Sequence, residues 1–189
     1  TTPLPPGLFQ GHSDKALPYD LPRRGPERKA LIGDPRNDEN LAVAQTHLMW
    51  LKFHNQIAST LTRQNPGADP MMILSMARDL VTRHYQHIVL HDFLRRMIDP
   101  EVYDDIILSG NRKVLTHGPG EIMFMPLEFS VAAYRHGHSM VREVYDWNLN
   151  FRADGEGRGT LAELFRFSRV SGDMRTLPNL PSNWIPDFR

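Results

Sequence analysis

Apolar residues recur along this chain at the spacing of helices, with proline-rich stretches at both ends. Leu41, Ala44, Leu48, Leu51 and Ile57 fall on one helical face behind Asn37-Asp38, which suit an N-cap, and predict a long helix from about Glu39 to Thr62. Asn65-Pro66-Gly67 ends it and Asp69-Pro70 opens the next. Met72, Met76, Leu80, Tyr85, Ile88, Phe93 and Met97 predict a second long helix over residues 70–98, and a shorter one follows over 100–108. Pro119-Gly120 marks a loop. Pro126 starts a third main helix running to about Trp147, and a short helix covers residues 161–167 after the glycine-rich loop at 153–159. No stretch alternates apolar and polar residues as a half-buried strand does. The expected class is mainly α, with little or no sheet.

The ends differ from the middle. Pro3, Pro5, Pro6, Pro18, Pro22, Pro26 and Pro35 crowd the first 35 residues, and Pro178, Pro181 and Pro186 the last dozen. Such density excludes helix interiors and central strands, so residues 1–35 read as an extended surface segment. Long extended arms suit one piece of something larger, wrapping parts that this chain does not contain.

Composition removes several function classes. The 189 residues suffice for one domain with a hydrophobic core. Equal numbers of acidic and basic residues, 22 of each, leave no basic field for nucleic acid. Mean hydropathy is −0.44, and no apolar run approaches the roughly 20 residues that span a bilayer. Cysteine is absent, which excludes disulfides, zinc thiolates and iron–sulfur clusters. With nine histidines, imidazole becomes the leading candidate metal ligand.

The histidines divide by spacing. His84, His87 and His91 share a helix face, yet i and i+7 lie about 10 Å apart along the axis and cannot both reach one ion. They read as packing or hydrogen-bonding groups, as do His47 and His54. His136 and His138 sit in the run "AAYRHGHSM"; on a helix they point roughly 200° apart, so only one can face a common pocket. His138 has Gly137 and Ser139 as neighbours, and the glycine would let a flat ligand approach the backbone. A core histidine with a satisfied hydrogen bond remains open on these grounds.

Two stretches go further. "LIGDPRNDENLAVAQTHLMWLKFHNQIA" (31–58) resembles the Gly-Asp-x-Arg-x-x-Glu segment and following His-x6-His-Asn helix of the animal-type haem peroxidases, the superfamily of myeloperoxidase, peroxidasin and the cyclooxygenases. "PLEFSVAAYRHGHSMVREVYDWN" (126–148) resembles their proximal-ligand helix, with "RHYQHIVLHDFL" (83–94) matching in between. The compact, cysteine-free form looks like the bacterial branch. The resemblance implies that residues 1–189 are the central part of one haem peroxidase domain: an extended arm (1–35), a haem-binding helical core (36–150), and a loop, short helix and extended tail (151–189).

Carried over residue by residue, the resemblance makes His138 the proximal ligand of a haem b iron and Arg36 the catalytic arginine on the peroxide side. Glu39 matches the glutamate that can form an ester to a haem methyl, and Arg135 an arginine near the haem. Hydrogen peroxide and a small reducing donor would be the substrates. Asn40 stands where halide-oxidising mammalian members carry a haem-bonded methionine. The family's distal histidine and adjacent calcium-binding aspartate precede the arginine segment; His12, in "FQGHSDK", lacks that context. The resemblance thus implies that the distal base and any calcium ligands come from the upstream part of the same domain or from another chain, and the buttressing asparagine from beyond Arg189. Two other readings compete. A fatty-acid dioxygenase of cyclooxygenase type would need a tyrosine three residues before the ligand, where Arg135 stands and Tyr134 is one position early. The other is a non-catalytic haem-binding subunit that acts only with a partner chain.

Overall fold

The computed structural model describes residues 19–111, 120, 122, 124–155, 157–172, 174, 177 and 180–187. His12, the first eighteen residues of the proline-rich arm, Pro119 and Pro178 lie outside the described residues. Two compact units are present: one built from residues 1–78 and 142–189, the other from residues 79–141.

In the first unit the chain enters through a hairpin, β1 (Arg23–Arg24) paired antiparallel with β2 (Lys29–Ala30), Arg23 opposite Ala30. Gly25 turns the hairpin at φ 72°, and Arg28 closes it at φ 55°, a left-handed conformation unusual for a side-chain-bearing residue. This segment is not merely a surface strap, because Asp20, Leu21 and Arg23 are buried. A 3-10 turn over Pro35–Asp38 follows, with Asp34 at its N-cap accepting from the Arg36 N–H.

Helix α1 (Leu41–Gln64) starts two residues later than expected. Its N-cap is Asn40, whose side chain accepts from the Val43 N–H at 3.0 Å, rather than Asn37-Asp38. The earlier pair is consumed by the 3-10 turn. The apolar stripe behaves as its spacing requires. Leu41 packs with Leu164, Phe167, Met174, Leu180 and Trp184, while Ala44 and Leu48 pack with Leu21. Trp184 stacks on Phe151, with ring centroids 4.3 Å apart, and its carbonyl accepts from the Trp147 indole N–H at 2.8 Å. A second hairpin, β3 (Val144–Tyr145) with β4 (Gly159–Thr160), leads into α6 (Leu161–Arg166). Thr160 and Glu163 cap this last helix reciprocally, satisfying two otherwise orphaned N–H groups.

Helix α2 (Pro70–Ile88) runs from the first unit into the second. It continues through a π-helical turn at Val89–Phe93 into α3 (Leu94–Met97), close to the single helix expected over 70–98. Helix α4 (Pro100–Tyr103) likewise continues as a π turn over Asp104–Leu108. The third long helix does not form as expected. Only α5 (Leu127–Val131) is α-helical; Ala133–Met140 is a 3-10 helix, and from Val141 the chain is extended into β3. Gly137, which costs about 1 kcal/mol in a helix interior, and four residues of modest propensity (Tyr134, His136, His138, Ser139) offer little to hold an α-helix there. The architecture is mainly α, with two short two-stranded sheets among the described residues.

Candidate functional site

Arg36 sits in the 3-10 turn between the hairpin and α1, its side chain 78 % exposed. Its Nη2 donates to Asp34 Oδ2 at 2.6 Å and its Nε to both carboxylate oxygens at 3.0 Å. The guanidinium, helped by the Arg36 backbone N–H, holds the Asp34 carboxyl down at about 2. The three residues after Arg36 are each tied to a different element. Asn37 Nδ2 meets His47 Nδ1 on α1 at 3.0 Å. The Asp38 carboxylate is buried against Arg23. The Glu39 carbonyl accepts from Ser168 Oγ at 2.8 Å. Burial lowers the His47 pKa below its ordinary value, which keeps the ring neutral.

Arg23 is the group that sequence reasoning missed. It is 1 % exposed and lies within the proline-rich arm. Its Nη1 and Nη2 reach Asp38 Oδ2 and Oδ1 at 2.7 and 3.0 Å, and Nε reaches the Asp20 carboxylate at 3.1 Å. Nη1 also donates to the Arg28 carbonyl at 3.2 Å, and Nη2 lies 3.1 Å from Asp20. Burial alone would lower the guanidinium pKa, but the Asp38 hydrogen bond and the charges of Asp20 and Asp38 outweigh it and raise it. The available signal was faint: one arginine of the Arg23-Arg24 pair, three residues after an aspartate.

In the second unit, His138 is exposed on the 3-10 helix, and its Nδ1 lies 2.9 Å from the Arg135 carbonyl. That carbonyl can only accept, so Nδ1 carries the proton and the Nε2 lone pair is left for another partner. Three residues make one 3-10 turn, so Arg135 and His138 lie on the same face, while His136 points about 120° away. A methyl group placed on Gly137 would meet nothing within 4 Å, so the backbone beside the ligand candidate is open to a flat group. Arg135 is itself anchored, Nε donating to the Ser130 carbonyl at 3.2 Å. His138 Nε2 is therefore a candidate donor atom on a ring whose Nδ1 is fixed by a backbone carbonyl.

The other histidines are held locally. His84 Nδ1 lies 2.7 Å from the Leu80 carbonyl, and His91 Nδ1 lies 3.1 Å from the hydroxyl of buried Tyr103. The His87 and His91 rings are 4.6 Å apart. Among the described residues no three His, Asp or Glu side chains gather as a set for a metal ion. No helix among them is long and apolar enough to cross a membrane.

A family profile described as animal haem peroxidase matches residues 8–169. The chain belongs to the animal haem peroxidase family. Peroxidasin homolog pxn-2 of Caenorhabditis elegans is 28 % identical over 158 residues, 83 % of this chain and 12 % of the relative. A peroxidase-like protein of Margaritifera margaritifera is 32 % identical over 120 residues, 60 % of this chain and 14 % of its own length. The dual oxidase of Drosophila melanogaster is 27 % identical over 125 residues, 66 % of this chain and 8 % of the relative. The chain thus spans a small part, 14 % or less, of these relatives. The matched region contains all four residues singled out from the sequence: Arg36, Glu39, Arg135 and His138.

Proposed function

We propose that this chain carries the haem-ligating and peroxide-activating residues of a peroxidase that reduces hydrogen peroxide while oxidising a small donor. The observation that carries the reading is the fixed tautomer of His138. Its Nδ1–H is engaged by the Arg135 carbonyl at 2.9 Å, so Nε2 is the free coordinating atom. His138 would hold the iron of haem b from the proximal side, with Arg135 on the same face of the turn. Bound haem supplies the redox chemistry. Arg36 stays protonated at any working pH and cannot serve as the base. Its guanidinium stabilises negative charge on the leaving oxygen as the peroxide bond breaks. Glu39, half-buried one residue beyond the 3-10 turn, is the position for an ester to a haem methyl.

On this reading residues 36–150 form the haem-binding core of one peroxidase domain. The base that takes the peroxide proton is contributed from outside the described residues, by the same domain or another chain. Geometry disfavours the dioxygenase reading. Tyr134 lies one residue off the Arg135–His138 face and so points about 120° from the ligand; it leans instead on Phe129, centroids 5.8 Å apart.

The test is spectroscopic. The chain is reconstituted with haem, alone and with an added upstream segment of the domain, and His136→Ala and His138→Ala are compared by Soret band. Loss only in His138→Ala supports the assignment, and loss only in His136→Ala refutes it. Haem binding by His138 without peroxide turnover in the complete domain would favour a non-catalytic haem-binding subunit.

A further inference from the structure

We infer that Arg23, outside the motif segments quoted above, is a positioning residue that fixes the direction of Arg36 through Asp38; the inference rests on the catalytic role proposed above for Arg36. The guanidinium has five N–H donors, and every one has an acceptor. Nε serves Asp20, Nη1 serves Asp38 and the Arg28 carbonyl, and Nη2 serves Asp38 and Asp20. Asp20 is in turn held by the N–H groups of Leu21 at 2.7 Å and Leu180 at 3.3 Å. The fork therefore locks Asp38 in two dimensions against a frame made of the hairpin and the C-terminal tail. Asp38 is the last residue of the 3-10 turn that carries Arg36.

The energetics of this arrangement point to orientation rather than stability. An arginine and two carboxylates buried together give up their hydration, and apolar residues of similar volume are often as stable. What an apolar cluster lacks is a defined direction, which planar two-pronged pairing supplies. Arg36 is exposed and its guanidinium is held by Asp34 at the start of the same short turn, so the direction of the pair follows the orientation of the turn itself. Fixing Asp38 from below, with His47 on Asn37 and Ser168 on the Glu39 carbonyl, removes the turn's freedom to rock.

The experiment compares Arg23→Lys and the triple variant Asp20→Asn/Arg23→Met/Asp38→Asn with the parent. Stability is followed by urea unfolding, and backbone 15N order parameters at Arg36 and Glu39 are measured on the 189-residue chain without haem. Peroxide kinetics are measured on the complete haem-loaded domain. Expected is a folded triple variant whose Arg36 order parameter falls from about 0.85 to below about 0.6. The peroxide-dependent rate should fall on the order of 10- to 100-fold with the donor KM unchanged, the size of effect that misplacement by about 1 Å produces. Arg23→Lys keeps the charge but not the fork, so the order parameter should drop there too, which decides the matter if the triple variant does not fold. Unchanged order at Arg36 in either folded variant overturns the positioning role. An Arg36→Ala variant with undiminished rate would instead remove the catalytic reading, leaving the order parameters to decide the role of Arg23.

Discussion

Replacing Ser168 by alanine should loosen the turn bearing Arg36 and Glu39 without touching either side chain. Ser168 is fully buried just past the end of α6, and its Oγ lies 2.8 Å from the Glu39 carbonyl and 2.7 Å from that of Phe165. One hydroxyl proton serves two acceptors, so the group is shared. The Oγ also accepts from the Ser171 N–H at 3.3 Å. Alanine removes all three contacts and creates a void of about one oxygen atom. A net hydrogen bond contributes about 0.5–1.5 kcal/mol, and a buried partner left unsatisfied costs about 1–3 kcal/mol. The neighbouring bond from the Val170 N–H to the Asp38 carbonyl, 3.2 Å, survives and limits the damage. The expected loss is therefore about 1–3 kcal/mol, or about 2–4 °C in Tm for each kcal/mol at this chain length. Urea unfolding measures it, with an unchanged m-value as the sign that only stability moved. A loss below about 0.3 kcal/mol would show that the hydroxyl is not holding the Glu39 carbonyl, and the account of how the turn is anchored would fail.

Three further outcomes are expected. Arg36→Ala should slow the peroxide step by about 2–4 kcal/mol in activation free energy, the range for removing a stabiliser of developing negative charge; stopped-flow kinetics of the complete haem-loaded domain should show an unchanged rate only if the arginine is merely structural. Because burial depresses the folded-state pKa of His47, the unfolded state binds more protons below its ordinary value of about 6.5. Stability should be insensitive to this group above that pH and fall as the pH drops through the window beneath it. The slope should shrink in His47→Gln, and an identical acid profile would count against the buried ring. Replacing His84, His87 or His91 should leave the metal content of the purified protein unchanged, and stoichiometric zinc or non-haem iron lost on mutation would reverse that reading.

Much of the helical content was legible because α1 and α2 carry sustained apolar spacing and clear stops at Asn65-Pro66-Gly67 and Asp69-Pro70. The N-cap was misjudged by two to three residues since Asn37, Asp38 and Asn40 all have capping side chains, and only tertiary ties to His47 and Arg23 decide among them. The segment around His138 looked α-helical from its apolar flanks, but Gly137 and its low-propensity neighbours left it a 3-10 helix instead. Arg36, Glu39 and Arg135 were singled out by motif order alone, and His138 by motif order together with its small neighbours Gly137 and Ser139. The buried Arg23 network was illegible because its carboxylates lie 3 and 15 residues away on opposite sides, a separation that periodicity does not sample.

The first unit is discontinuous in sequence, and this sets a timetable for its assembly. The Ser168–Glu39 bond closes a separation of 129 residues, and the Leu180–Asp20 bond one of 160. Neither can form until the chain between has been made, so Glu39 and Asp20 must wait on the ribosome for their partners Ser168 and Leu180. Contacts of such sequence separation are slow to close even once available. At roughly 5–20 residues per second, synthesis leaves Leu41 without its partners Leu164, Phe167, Met174, Leu180 and Trp184 for seconds, while Ala44 and Leu48 already have Leu21. During that interval the nascent chain, rather than the finished protein, is the species exposed to aggregation and to chaperones.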